Sequence, residues 1–206
     1  MIAEQAARAA EARGYFSLAL SGGRSPWVML SLLARRELPW DDIEIFQVDE
    51  RVAPPGSRER NLTNLIVALP IERQAALRPM PVTSRDLEAA AAEYEASLPE
   101  RLDFVHLGLG VDGHTASLVP DDPVLEVRDR RVAVTAKPYE GLRRMTLTYP
   151  ALNAARKVVW LVAGEEKRDA LARLLAGDET IPAGRVEAED MLVVADAAAA
   201  AGGDGD

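Results

Sequence analysis

The chain has 206 residues, enough for one well-buried domain or at most two small ones, with 48% hydrophobic and 28% charged residues, as in a soluble globular protein. A net charge of −9 argues against nonspecific binding to nucleic acid, and the absence of cysteine excludes a disulfide framework, thiolate chemistry and cysteine-based zinc sites. No stretch approaches the roughly 20 apolar residues of a membrane helix, and the charged N-terminus lacks a signal-peptide apolar region, so a cytoplasmic protein with no membrane partner is expected.

The first segment, MIAEQAARAAEARG, reads as an amphipathic helix. Tyr15–Leu20 is a short strand, followed by SGGRSP and a helix over Trp27–Ala34. Ile43–Val48 is the next strand, ending in Asp49-Glu50-Arg51. A Pro/Gly/charge loop leads to a short helix near Leu62–Leu69, and Asp86–Leu98, rich in Ala and Glu, is a further helix. Phe104–Leu109, Val132–Ala136, Met145–Thr148 and Val158–Ala163 read as strands. Lys167–Ala176 is a helix, Met191–Ala195 the last strand, and Ala197–Ala201 a closing helical turn. Strands alternating with helices imply βαβ units around a mostly parallel sheet. No linker divides the chain, so a single domain over residues 1–201 is expected, with Gly202–Asp206 as a flexible tail.

Polar clusters fall after Leu20, Val48 and Leu109, at strand carboxyl ends, where open parallel sheets hold their ligands. Ser21, Gly22 and Gly23 follow a strand and precede a helix with Pro26 near its first turn, a place where backbone N–H groups can meet a phosphate; an ordinary tight turn is the plainer reading. Gly108–Pro120, GLGVDGHTASLVP, packs Gly108, Gly110 and Gly113 around Asp112 and places His114, Thr115 and Ser117 where a helix is expected to begin. A histidine there is poised to move protons near neutral pH. The formal G-x-G-x-x-G match is weak as a dinucleotide fingerprint, because it lies mid-chain and no acidic residue ends the next strand. His106, alternating with apolar neighbours, reads as a packed strand residue. Lys137, Arg143-Arg144 and Lys167 taken singly are surface cations. No G-x-S-x-G elbow, Walker A loop or H-E-x-x-H pair is present, and no metal is expected.

Together and in this order, LSGGRSP (Leu20–Pro26), VDERVAP (Val48–Pro54) with Asn61 following, GLGVDGHTASLVP, KPxxxxRRMTLT (Lys137–Thr148) and AGEEK (Ala163–Lys167) resemble the 6-phosphogluconolactonase family. The resemblance runs from about Tyr15 to Asp196-Ala197-Ala198. It implies a Rossmann-like α/β three-layer sandwich with a mostly parallel central sheet, and hydrolysis of 6-phospho-D-glucono-1,5-lactone without a cofactor. His114 is then the general base on water and Arg51 stabilises the carbonyl oxygen, with Asp49 and Asp112 orienting these two or binding sugar hydroxyls. Ser21, Gly22 and Gly23 meet the phosphate, surrounded by Lys137, Arg144 and Lys167, while Asn61 and Gly113 complete the substrate-binding set. Arg60 stands where the family commonly has Ser before Asn61. The chain begins inside what is usually the first helix, so a preceding strand is expected to be absent and one sheet edge open.

The sister glucosamine-6-phosphate deaminases share the Asp-Gly-His core but usually continue with an Ile-Ala-Phe-Asn type sequence, where this chain has Thr-Ala-Ser-Leu. A deaminase/isomerase and a non-catalytic phosphosugar-binding protein are the alternatives. The expected partner is a small phosphosugar lactone, and the expected state a monomer or weak homodimer.

Overall fold

A computed structural model describes residues 1–70 and 77–201; the expected tail at Gly202–Asp206 lies outside them. The strands are β1 (Phe16–Leu20), β2 (Ile43–Gln47), β3 (Asp49–Arg51), β4 (Leu77–Arg78), β5 (Phe104–Leu107), β6 (Val132–Val134), β7 (Arg144–Leu147), β8 (Val158–Val162) and β9 (Met191–Ala195). The helices are α1 (Ile2–Arg13), α2 (Arg24–Leu33), α3 (Asn61–Ala68), α4 (Leu87–Ser97), α5 (Tyr149–Asn153), α6 (Arg168–Leu175) and α7 (Ala197–Ala200).

Six strands form one sheet in the order β4-β2-β1-β5-β8-β9, with every pairing parallel. Side chains alternate across it with the period of two that a strand imposes. Phe16, Leu18 and Leu20 of β1 join Ile43 and Ile45 of β2 under α1, α2 and α3, where Ala6, Ala9, Leu30 and Leu65 are buried. Ala19, Phe46, Val105, Leu107 and Trp160 face the other way, toward α4, α6 and α7. Both faces are therefore covered, which makes the expected three layers and explains why these strands read as continuous apolar runs. Local signals set the helix ends. Asp86 caps α4 by accepting from the Ala89 amide at 3.0 Å, and Gly14 ends α1 at φ 67°.

Besides the unexpected short helix α5 and an earlier start for α2, the structure differs from the sequence reading in four places. First, Asp49–Arg51 does not finish the second strand. The chain leaves the parallel sheet at Val48, whose amide bonds to Leu20 O at 3.0 Å while its carbonyl accepts from Leu147 N at 2.8 Å. β3, β7 and β6 then form a separate antiparallel sheet, so Val132–Ala136 and Met145–Thr148 are not strands of the main one. Second, no helix begins at His114. Gly110 N donates to His114 O at 2.8 Å, Leu118 N to Thr115 O at 2.9 Å, and Ala116 takes φ 51°, so the segment closes on itself as turns. The Ser117 hydroxyl is committed to Asp49. Third, the two-residue β4 is too short to show a pattern in sequence, with Pro79 stopping it. Fourth, α6 starts at Arg168 after a 3-10 turn over Glu165–Lys167. The outer edge of β9 carries no strand among the described residues, and Met191, Leu192 and Val194 there are exposed.

Candidate active site

β1 lies inside the sheet, and the chain runs from it to β2 on one side and reaches β5 on the other. Where the winding direction switches, the loops at the strand carboxyl ends part and leave a crevice. A cavity of about 650 Å³ opens there, in the size range of small-molecule sites. Ser21, Gly22 and Gly23 line it after β1, Gly108, Gly110 and His114 after β5, and Gly164 and Lys167 after β8. Asp49, Arg51 and Arg144 enter from the small antiparallel sheet. The three strand-end clusters of the sequence thus meet at one place.

The wall formed by β3 and α3 is held by a buried carboxylate. Glu50 is fully buried, and its Oε1 accepts from Arg51 N at 2.8 Å and Asn61 N at 2.7 Å, its Oε2 from Leu62 N at 2.8 Å and Gln47 Nε2 at 2.9 Å. The Asn61 and Leu62 amides are the first of α3, whose exposed backbone dipoles favour an anion. Arg60 Nε lies 3.4 Å from the same carboxylate, so the Arg that departs from the family pattern serves as its counter-ion. Asn61 is fixed in turn: Nδ2 donates to Asp49 O at 2.9 Å and Oδ1 at 3.2 Å, while its Oδ1 accepts from Arg51 Nη1 at 2.7 Å. A Cβ on Gly22 would overlap Asn61 Oδ1, so only glycine lets the phosphate-loop candidate approach this wall. Asp49 Oδ2 accepts from Ser117 Oγ at 2.6 Å.

His114 sits on the opposite loop. Its Nδ1 is 2.6 Å from Asp112 Oδ1, which also accepts from the His114 amide at 3.1 Å. The carboxylate takes the ring N–H at Nδ1, and the Nε2 lone pair is left free. The His114 bond, with smaller help from Tyr139, holds the Asp112 carboxyl well below the usual carboxylate range. Tyr139 donates to Asp112 Oδ2 at 3.0 Å.

Arg51 and Arg144 are direct partners across the β3–β7 ladder. Like charges placed opposite one another destabilise a sheet. Arg144 is relieved in part by Glu140 at 2.8 Å, yet the Nε atoms of both arginines are buried and have no hydrogen-bond partner among the described residues. Ser21 Oγ, on the same cavity, is likewise buried and unpartnered. α2 begins beside it at Arg24 with no side-chain cap. Two guanidinium groups, Lys167 and an uncapped helix start on one crevice fit an anionic ligand. Glu166 also lines the cavity, next to Lys167.

Of the candidates from sequence, Ser21, Gly22, Gly23, Asp49, Arg51, His114, Arg144 and Lys167 line the cavity. Asn61 and Asp112 stand one layer behind, on Arg51 and His114. Gly113 packs against Ile181 and takes no part in the lining. Lys137 is not brought in: its Nζ donates to Asp121 O at 3.1 Å, outside the lining. Sequence reasoning missed Glu50 and Tyr139. A charge inside an apolar strand context marked Glu50, whereas nothing in KPYEGL marks Tyr139. Among the described residues, no three metal-ligating side chains converge, and no helix is long and apolar enough to cross a membrane.

A family model described as Glucosamine-6-phosphate isomerases/6-phosphogluconolactonase matches residues 1–194. A 6-phosphogluconolactonase of Synechocystis sp. is 38% identical over 197 residues, covering 88% of this chain and 81% of that protein. One from Nostoc sp. is 36% identical over 209 residues, covering 92% and 85%. The crystal structure of 6-phosphogluconolactonase from Thermotoga maritima superposes with a TM-score of 0.84 at 29% identity, covering 94% of this chain and 90% of that one.

Proposed function

This chain belongs to the glucosamine-6-phosphate isomerase/6-phosphogluconolactonase family, and from that premise we propose that it hydrolyses 6-phospho-D-glucono-1,5-lactone to 6-phosphogluconate, a step of the oxidative pentose phosphate pathway. The observation that carries the reading is the cross-strand pair Arg51 and Arg144, with unpartnered buried Nε atoms, on a cavity that also holds His114. The phosphate takes the Ser21–Gly23 loop, the start of α2, Arg144 and Lys167; Lys137 is left out of this set. The lactone carbonyl faces Arg51.

The chemistry needs one base and one electrophile. His114 Nε2 accepts a proton from a water as the water oxygen bonds to the lactone C1. The C1 carbonyl oxygen gains the charge, and Arg51 stabilises it. When the C1–ring oxygen bond breaks, the imidazolium returns its proton to the departing ring oxygen, and the products are a carboxylic acid and an alcohol. Asp112 holds the ring and stabilises its charged form, as an orienting carboxylate does. Asp49 and Asn61 hold Arg51. Positioned general base catalysis supplies on the order of 10²–10⁴-fold, and an activated ester needs no covalent nucleophile.

The lack of cysteine fits action in the cytoplasm, and a monomer or weak homodimer is the proposed state. Freshly made lactone with purified protein tests the reading. His114→Ala is expected to remove most of the acceleration, and full activity in that variant overturns the base assignment. Ammonia release from glucosamine 6-phosphate, with no lactone hydrolysis, would instead establish the deaminase alternative.

A further inference from the structure

A tight turn ahead of β7, the strand that carries Arg144, brings Tyr139 against His114. Tyr139 N donates to Leu142 O at 3.0 Å and Leu142 N to Tyr139 O at 3.3 Å, with Glu140 at φ 51° and Gly141 at φ 83° between them. Two central residues with positive φ make the primed turn that matches strand twist. The turn sends Tyr139 back over the site. Its ring meets the His114 ring edge to face, with centroids 5.2 Å apart at 62°, and the Arg144 guanidinium carbon lies 4.9 Å from its centroid. Its hydroxyl is 3.0 Å from Asp112 Oδ2 and 3.3 Å from His114 Nδ1.

We propose that Tyr139 is a positioning residue for the hydrolysis, holding Asp112 turned toward His114 and giving Arg144 an aromatic platform. The inference rests on the lactonase reading for its kinetic consequences. Asp112 is partly exposed, and its Oδ2 has no other side-chain or backbone donor among the described residues. Without the phenol, the carboxylate is held through Oδ1 alone, by the His114 amide and ring, and Oδ2 is left to solvent. With the phenol, Oδ2 is occupied and Oδ1 is kept for Nδ1. The phenol stays a donor at physiological pH, since burial, then its bond to Asp112, pushes its pKa up to about 12. The same ring stacks on Arg144, whose Nη2 also reaches Tyr139 O at 3.3 Å. One side chain thus sets both the base and a cation of the cavity.

Two variants separate the parts. Tyr139→Phe keeps the ring and removes the hydroxyl; kcat is expected to fall about tenfold, the loss for one hydrogen bond to a charged group, with KM unchanged. Loss of that donor leaves Asp112 a stronger acceptor for the ring N–H, which favours the protonated ring. The acid limb of the pH–rate profile therefore moves to higher pH. Tyr139→Ala also removes the platform, and KM is expected to rise about threefold on top of the kcat loss. Imidazole ¹⁵N spectra give a readout without substrate, and the chain has two histidines to resolve. The His114 Nδ1 resonance is expected to shift in Tyr139→Phe. Wild-type kcat, an unmoved limb and an unmoved His114 resonance in that variant overturn the proposal. A kcat loss matched by a rise in KM, with the limb unmoved, shows general loosening and overturns it as well. An inactive wild-type protein refutes the lactonase reading alone, and the resonance then decides for Tyr139.

Discussion

Replacing Gly110 by alanine asks whether His114 is placed by packing. The backbone at Gly110 is not in the left-handed region, so alanine is tolerated there in itself. The cost falls on the neighbours. The new Cβ would overlap His114 Nδ1 and Cε1 and lie 2.6 Å from Asp112 Oδ1, against the ordinary carbon contact of about 3.5–4.0 Å. The ring must retreat by more than about 1 Å, and a misplacement of that size costs about 10²-fold in rate. His114 can retreat without breaking the fold, because its side chain is 24% exposed and has solvent to swing into. The stability cost then sits at the low end of overpacking, about 1 kcal/mol, or about 2–4 °C in Tm for a chain of this size. Proton release from freshly generated lactone, corrected for spontaneous opening, gives kcat, and a thermal melt gives Tm. A kcat within about threefold of wild type (less than about 1 kcal/mol of barrier) would refute the reasoning, since the base would then work from a position the alanine permits.

Ser117→Ala deletes the 2.6 Å donor to Asp49, which is 4% exposed; stability is expected to fall by about 1–3 kcal/mol in a thermal melt. Activity falls with it, because Asp49 holds Asn61 and Asn61 holds Arg51. Glu50→Gln sets an NH2 group against one pair of donors, either the Arg51 and Asn61 amides or the Leu62 amide and Gln47 Nε2; about 3–5 kcal/mol is expected to be lost, seen as a lower urea midpoint with an unchanged m-value. His106 is buried with no ring partner among the described residues, and burial lowers its pKa to about 4. The unfolded chain takes the proton near pH 6.5 and the folded chain only near 4, so stability is full above 6.5 and drops by about 3 kcal/mol as pH falls to 4. His106→Leu is expected to flatten that part of the urea-midpoint profile; an unchanged slope counts against the assignment.

The parallel sheet was legible because strands buried on both faces read as unbroken apolar runs, as Val158–Val162 does. The small antiparallel sheet was not. β3 follows β2 after the single residue Val48, and no turn chemistry announces a change of sheet there. The helix expected at His114 failed for a related reason. Ser117, near the expected helix start, has a partner 68 residues away in Asp49, and tertiary hydrogen bonding overrode the local signal. The cavity-lining residues were legible from their place at strand ends. Depth was not: Asn61 and Asp112 carry the same chemical types as lining residues, and only coordinates set them one layer back. Lys137 shows the converse, a cation on a motif position whose ammonium bonds to Asp121 O instead.

The charge balance of the whole chain and of the cavity point in opposite directions, and the difference bears on recognition. At −9 the molecule repels a phosphosugar dianion at long range. Attraction must therefore arise within a few ångströms, where solvent screens least. The β3–β7 ladder supplies it at a cost, by setting Arg51 against Arg144. In the free protein the partners are neutral or exposed: Asn61 Oδ1 and Glu59 O take Arg51, and Glu140, which is 70% exposed, takes Arg144. Among the described residues, no buried carboxylate forms an ion pair with either guanidinium. A buried Asp or Glu there would relieve the repulsion and remove the reason for an anion to enter. Glu50 is spent behind the wall on the start of α3, and Asp49, on the cavity itself, is engaged by Asn61 and Ser117. The cations are thereby held in place with only the exposed Glu140 as a carboxylate partner, a pairing that an entering dianion can displace.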